Sequence, residues 1–342
     1  MKVCVTGGGT GGHLMIAQAL AESAVASGYE VIFIGSTSGQ DKKYFGERSS
    51  FSHTYFLDTN GVVNQKGFKK IIALFKILKA LFKAMFILKK HNIDATYSVG
   101  GFSSAPASLA SIATFTPLFI HEQNAVEGKL NSLLKPFAKR FISAYDKSSP
   151  IKGYPVKNVF FKNARVREDL KNIIFLGGSH GALAINNLAL SVASKLKEMG
   201  ICIIHQAGES DFERVKEEYA KLDVEVELYS FTKDLDKLIA KADFAVSRAG
   251  ASTLWELTTS GCPALYIPYP YAAGDHQYFN AKFIVDNNLG WCKREGDGLA
   301  EYLLEILDEP LKDKSSSLIE YRSKDVAQKM IDDVKNYLEK RV

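Results

Sequence analysis

The chain has 342 residues, of which 46% are hydrophobic and 24% charged, a balance that supports two medium-sized cores and excludes disorder and coiled coil. Its net charge of +5 is local: eight lysines and no Asp, Glu or Arg lie between Thr59 and Ile93, and the rest sums to 5 − 8 = −3, so no nucleic-acid partner is expected. Cys4, Cys202, Cys262 and Cys292 lack C-x-x-C spacing, which suggests neither a disulfide framework nor a zinc site.

The first residues read as an apolar strand, "KVCVTGG", running into a glycine turn and then a helix from Gly12 to Ser27. Gly7, Gly9 and Gly12 satisfy G-x-G-x-x-G, a turn that lets backbone N–H groups approach a phosphate. An ordinary tight turn gives the same pattern. The dinucleotide version needs an acid about 20 residues on, at the end of the second strand, and "YEVIFIGST" ends in Ser36 and Thr37 instead. The turn also sets His13 at the mouth of the helix, where the positive helix end favours a neutral imidazole able to accept a proton; a purely structural histidine is the alternative. No basic stretch followed by an apolar core opens the chain, so it is expected to stay in the cytoplasm.

The stretch from Phe68 to Lys90, "FKKIIALFKILKALFKAMFILKK", is long enough to span a bilayer but too interrupted by lysine to do so. At about 100° per residue, Ile71, Leu74, Phe75, Leu78, Leu81, Phe82 and Met85 gather on one arc and Lys69, Lys76, Lys79, Lys83 and Lys90 on the other. A surface helix of an α/β domain also buries one stripe and exposes lysines. The absence of acidic residues and the surplus of Phe, Ile and Leu favour a membrane surface. Part of the apolar arc is expected to pack on the sheet, with Ile72, Phe86 and Ile87 touching lipid and Lys76, Lys79 and Lys83 facing anionic headgroups.

Strand-like "ATYSVGG", "PLFIHEQN" and "RFISAY" continue an alternation that predicts a parallel sheet wrapped by helices. In "HEQN", Glu122 is placed to orient a base and Asn124 to bind a hydroxyl, although local turn hydrogen bonding explains them equally well. The polar segment "DKSSPIKGYPVKNVFFKNARVREDLKN", punctuated by Pro150 and Pro155, reads as a linker. After it "IIFLGGSHGALAINNLAL" repeats the strand, glycine turn and helix of the start. Further strands follow in "ICIIHQAG", "VEVELYSF", "FAVSRAG" and "PALYIPYP". Two Rossmann-like domains facing across a cleft are expected, with ligands at the carboxyl ends of the strands. "GGSHGA" is a second candidate phosphate turn. "RAGASTLWE" opens a helix carrying Glu256 one turn in, placed to accept from a ribose diol or simply to meet the helix dipole. "GDHQYFNA" offers Asp275 as a helix cap, presenting His276 and Gln277.

Taken together, "GGTGGH", "GGF", "HEQN", "GGSHGA", "SRAGASTLWE" and "DHQYFNA" resemble, in order and approximate spacing along nearly the whole chain, the MurG family of peptidoglycan glycosyltransferases. The resemblance implies a GT-B fold, with residues 1–156 as the acceptor and membrane-association domain, 157–325 as the UDP-sugar domain, and a C-terminal helix at about 326–342 packing back on the first. It implies UDP-N-acetylglucosamine as donor, lipid I (undecaprenyl-pyrophosphoryl-N-acetylmuramoyl-pentapeptide) as acceptor, lipid II as product, and a peripheral place on the cytoplasmic face of the bacterial membrane. Carried over by motif, Thr10, Gly11 and Gly12 lie against the reaction centre and Asn124 contacts the donor sugar. Ser179 meets the UDP phosphate, and Glu256 the ribose. Ala251, Ser252, Thr253, Leu254 and Trp255 sit at the helix end near the nucleotide. Gln277, with His276 beside it, reads the sugar, and Thr232 falls where backbone meets uracil. The chain departs from the family at Ile16, Phe102 and "GYPVK", where Lys157 replaces an arginine and brings charge without a bidentate fork.

The expected reaction is an inverting glycosyl transfer with His13 as general base and Glu122 as the weaker candidate. It needs no cofactor and no metal, since the sequence shows no D-x-D of the sort that presents paired carboxylates to a metal diphosphate. The rivals are another GT-B transferase or UDP-sugar epimerase, an NAD(P)-dependent oxidoreductase, and a non-catalytic nucleotide-sugar sensor.

Overall fold

The computed structural model describes residues 1–46, 50–61, 68–178 and 181–340. The chain divides into two compact units, residues 1–156 with 325–342, and residues 157–324.

The first unit runs β1 (Lys2–Thr6), α1 (Gly11–Ala26), β2 (Glu30–Ser36), α2 (Asp41–Phe45), β3 (His53–Leu57), α3 (Phe68–Lys90), β4 (Ala95–Ser98), α4 (Ala105–Ala113), β5 (Leu118–Glu122), α5 (Lys129–Leu134) and β6 (Arg140–Ser143). Its six strands are parallel in the order β3-β2-β1-β4-β5-β6. Strands covered on both faces need continuous apolar runs rather than alternation. Val3, Cys4 and Val5 of β1 and Val31, Ile32, Phe33 and Ile34 of β2 supply them, all buried.

The second unit repeats the plan with α6 (Asn158–Lys162), β7 (Asn172–Leu176), α7 (Leu183–Glu198), β8 (Cys202–Gln206), α8 (Phe212–Lys221), β9 (Val226–Tyr229), α9 (Leu235–Lys241), β10 (Phe244–Ser247), α10 (Ala251–Ser260), β11 (Ala264–Tyr266), α11 (His276–Asp286), β12 (Trp291–Cys292), α12 (Leu299–Leu307) and α13 (Leu311–Tyr321). Its parallel order is β12-β11-β10-β7-β8-β9. Both sheets reverse direction beside their first strand, so the glycine turns after β1 and β7 lie at the switch points where α/β sheets bind ligands. Then α14 (Val326–Glu339) returns to the first unit and buries Val326, Met330, Ile331 and Val334. Gln328 donates to Ser27 at 2.9 Å, and the Tyr337 ring meets Phe119 edge-on.

The segment expected to be a linker is packed into the fold. Tyr154 and Phe160 are buried, and Arg167 is fully so. The Arg167 guanidinium donates to the carbonyls of Ala242 at 2.8 Å, Ile239 at 3.0 Å and Arg165 at 3.0 Å, and also to that of Ser260. It thereby helps to satisfy the C-terminal carbonyls of α9 and α10, together with Arg165, which also donates to those of Ala242 and Ser260.

Helix α3 corrects the expected division of its faces. The side against the sheet is a stripe of Ala80, Ala84, Ile87 and Leu88, packed with Cys4, Ile32, Ile34 and Leu57 and with Ala107 and Ala110 of α4. Alanine lets two helix backbones approach closely, so the small residues face inward and the large ones are left outside. Ile87, expected to touch lipid, is 6% exposed and belongs to this core. Phe75, Phe82 and Phe86 are 70%, 63% and 68% exposed. Ile71, Ile72, Leu74 and Leu78 are exposed with them.

Candidate active site

In the first unit the glycine turn, the backbone after β4 and the loop after β5 meet at His13. Thr10 precedes α1 in an extended conformation, and its hydroxyl lies 2.8 Å from His13 Nδ1. Gly11 and Gly12 open the helix. Gln123 Nε2 donates to His13 Nε2 at 2.9 Å. With the Gln123 amide in this orientation Nε2 accepts, which leaves the ring proton on Nδ1, facing the Thr10 hydroxyl. The turn can come this close only because it lacks side chains: Gly101 has φ 80°, and a Cβ there would lie 2.1 Å from the Gly8 carbonyl oxygen.

The acid missing from the end of β2 is supplied five residues later. Asp41, fully buried at the start of α2, accepts the N–H of Gly9 at 2.5 Å and that of Ser36 at 2.9 Å. Its carboxylate occupies the amide that a phosphate would seek, and its charge opposes a second anion. Both Asp41 oxygens are taken by backbone N–H groups of its own unit, so it is not placed as the ribose-binding acid of an NAD site.

Glu122 is spent on its own loop. It accepts from the N–H of Asn124 at 3.0 Å, the N–H of Gly128 at 2.9 Å and Asn131 Nδ2 at 2.8 Å. Asn124 is thus fixed by its backbone. Gln123, which sequence reasoning passed over because it does not titrate, makes the contact to His13. Beside it, burial pushes His121 down to about 3, so this ring stays neutral.

In the second unit a hollow of about 760 Å³ is lined by Gly177, Gly178, Gly181, Ser247, Arg248, Gly250, Thr253, Tyr269, Tyr271, Gln277 and Glu295, among others. The N-termini of α7 and α10 both open on it, presenting N–H groups and positive helix ends to an anion. Gly181 has φ 78°, and a Cβ there would lie 2.5 Å from the Ala207 carbonyl oxygen. Ser179 lies outside the described residues. Arg248 pairs with Glu295 at 2.5 Å and holds the Ile267 carbonyl at 3.1 Å, and Asn280 donates to Ala249 at 3.1 Å, bracing the turn before α10.

Glu256 is buried one turn into α10, and desolvation raises its carboxyl to about 7 although Lys157 favours the charged form. Ala251 is buried, and Ser252 and Thr253 are half-buried at the helix start. Leu254 and Trp255 correct the sequence expectation. Both side chains are in the core, Trp255 stacked on Tyr321, because helical periodicity turns them away from the face that carries Thr253. Gln277 Oε1 accepts the Tyr269 N–H at 3.0 Å, and His276 Nδ1 donates to the Ala273 carbonyl at 2.9 Å. Asp275 is no side-chain cap; it pairs with Arg294 at 2.6 Å. Thr232 Oγ1 accepts the Asp234 N–H at 3.0 Å. The literal D-x-D of Asp234 and Asp236 only opens α9, with Asp234 paired to Lys237 at 2.7 Å.

Residues 3–143 match the Glycosyltransferase family 28 N-terminal domain and residues 172–333 the Glycosyltransferase family 28 C-terminal domain. A relative in Sulfurimonas denitrificans, named UDP-N-acetylglucosamine–N-acetylmuramyl-(pentapeptide) pyrophosphoryl-undecaprenol N-acetylglucosamine transferase, is 65% identical over 98% of both chains. A relative of the same name in Wolinella succinogenes is 51% identical over 97% of this chain and 99% of its own. The crystal structure of Acinetobacter baumannii MurG is similar with a TM-score of 0.80 at 28% identity, covering 98% of this chain and 99% of that one.

Proposed function

The chain belongs to glycosyltransferase family 28 and is a hexosyltransferase that moves N-acetylglucosamine from UDP-N-acetylglucosamine to the N-acetylmuramoyl-pentapeptide pyrophosphoryl-undecaprenol acceptor, and on that premise we propose how its residues divide the work. The observation that carries the reading is that both halves match the family in order, along almost all of the chain.

The hollow of the second unit takes the donor. Glu256 accepts from the ribose hydroxyls, and Gln277, with His276 beside it, orients the sugar. The diphosphate lies at the start of α10, by Ala251, Ser252 and Thr253, and across the turn before α7, with Lys157 adding charge. Thr232 marks the uracil side. In the first unit, Thr10, Gly11, Gly12 and Asn124 line the reacting end. The C4 hydroxyl of the acceptor sugar attacks the anomeric carbon as the bond to UDP breaks, and its proton passes to the His13 Nε2 lone pair as the Gln123 N–H releases it. The sugar leaves its α-linkage to UDP for a β-linkage to the acceptor. Charge gathering on UDP is met by helix N-termini already in place, which costs no reorganisation during the reaction.

No helix among the described residues is long and apolar enough to cross a membrane. The acceptor's undecaprenyl chain nevertheless stays in lipid, and the exposed face of α3 fits peripheral binding to an anionic surface on the cytoplasmic side. Phe75, Phe82 and Phe86 enter the interface, with Lys79 and Lys83 beside them. Lys76 pairs with Asp58 at 2.9 Å, so it contributes less charge than its neighbours.

The test is direct. Incubation with radiolabelled UDP-N-acetylglucosamine and a lipid I analogue should give a labelled lipid product; label confined to free sugar and UDP-sugar would refute the assignment.

A further inference from the structure

Glu30, His53 and His91 meet at the amino end of the first sheet, away from the end that carries the glycine turn. Their positions follow from the register. His53 pairs with Ile32 across β2 and β3, so Glu30, two residues before Ile32, lies diagonally from His53 on the same face, within reach of long side chains. That face is the one α3 covers, since Ile32, Ile34 and Leu57 pack against it. His91 follows the last turn of α3, its N–H bonded to the Ile87 carbonyl at 3.1 Å, and so arrives at the same corner.

One ligand atom from each of the three residues lies within 4.8 Å of the others. The two imidazole centroids are 4.8 Å apart. The Tyr55 hydroxyl lies 2.6 Å from His91 Nε2, the kind of outer support that orients a metal-binding histidine. Two imidazoles and a carboxylate with open positions left for water are a donor set suited to zinc. Bonds of about 2.0–2.2 Å in a tetrahedron put ligand atoms about 3.4 Å apart. The three must therefore draw in by up to about 1.4 Å, which the exposed His53 permits. The opposing influence is Lys2, whose ammonium holds Glu30 Oε2 at 2.8 Å.

We propose that Glu30, His53 and His91 bind one zinc ion, which clips the end of α3 to the outer strands β2 and β3. The ion has no part in glycosyl transfer, because it sits at the far end of the strands from His13. It acts on the anchorage of the helix that carries the exposed phenylalanines. Cysteine spacing gives no hint of it, since the ligands are histidines and a glutamate brought together only by strand order.

The experiment is calorimetric titration of the untagged, chelator-stripped full chain with zinc chloride, with thermal unfolding followed in parallel. One ion per chain is expected, together with a rise in midpoint that a chelator reverses. His53→Ala and His91→Ala should each weaken uptake at least about tenfold and abolish the rise. Lys2→Met, which frees Glu30 and removes a repelling charge, should tighten it. His53 is exposed, so that variant keeps its fold and decides the matter. Absence of saturable uptake by the parent, or equal uptake by the parent and His53→Ala, overturns the assignment.

Discussion

Asp41 holds Gly9: one carboxylate oxygen accepts the glycine's N–H at 2.5 Å and the other reaches back to Ser36 at 2.9 Å. A turn with the spacing of a phosphate loop thus carries its own anion. Asp41→Ala should cost about 1–3 kcal/mol, because it leaves the buried Ser36 N–H and the half-buried Gly9 N–H without their acceptor. It should lower turnover while UDP binding in the second unit survives. Urea denaturation and calorimetry with UDP check both halves; a stable variant with normal turnover would free the loop to bind phosphate.

On the proposed ribose contact, Glu256 should make donor binding depend on pH. Its carboxyl is held at about 7 by burial, and a ribose diol bonds best to the carboxylate. Affinity for UDP-N-acetylglucosamine should therefore rise with pH, by up to about tenfold per unit below 7, and then level off. Glu256→Gln should bind more weakly and lose this dependence. The same group acts oppositely on stability without ligand. The unfolded carboxyl ionises near 4.5, so from there to about 7 the folded chain keeps a proton that the unfolded chain has lost. Stability falls as pH rises across that window, by about 3 kcal/mol in all. A flat affinity profile would detach Glu256 from the ribose.

His13→Ala should lower kcat by roughly 10²- to 10⁴-fold with UDP affinity nearly intact. Gln123→Ala should give a smaller loss and move the acidic limb of the kcat profile, since the amide fixes the imidazole without reacting. Glu122→Ala should act chiefly on stability, by about 2–3 kcal/mol, because three donors in its loop lose their acceptor. Normal turnover in His13→Ala would turn the search for the base elsewhere.

For α3, Lys76, Lys79 and Lys83 changed together to Glu should release the protein from anionic liposomes at low salt while donor binding persists; each lysine near such a surface is worth about 1 kcal/mol. Phe75, Phe82 and Phe86 changed to Ser should weaken sedimentation at every salt concentration. Ile87→Ala should leave sedimentation unchanged and cost about 2–5 kcal/mol of stability, as a core residue does. Equal sedimentation of the lysine variant and the parent returns the helix to a purely structural role.

Most of the strand and helix order, both glycine turns and the apolar runs "VCV" and "VIFI" were legible, because strands covered on both faces must be apolar throughout; the edge strands β3 and β12 were not read as strands. The face of α3 was not, since a hydrophobic arc weighs Phe above Ala whereas tight packing on α4 selects Ala80 and Ala84. His13 and Glu256 stood out as titratable groups, one in the first turn of α1 and the other a turn into α10, and both enter the proposed function on that ground. Asp41 did not, because nothing in "GSTSGQDKK" shows that the chain doubles back beneath its first turn. Gln123 was overshadowed by the glutamate beside it. Leu254 and Trp255 were drawn in by a motif that does not separate the ligand-facing side of a helix from its core side.

The chain leaves the first unit at Val156 and returns to it at Asp325, so synthesis runs out of step with completion. When β6 emerges, the surface that α14 will cover, including Phe119 and the end of α1, is still bare. Before the covering helix exists, all of Lys157–Lys324 must be made, which takes roughly 10–30 s at about 5–20 residues per second. For that interval the nascent first unit shows the ribosome's surroundings two oily surfaces, this one and the outer face of α3. The first is temporary and the second permanent, which makes the half-made chain a natural client for chaperones and the finished one much less so.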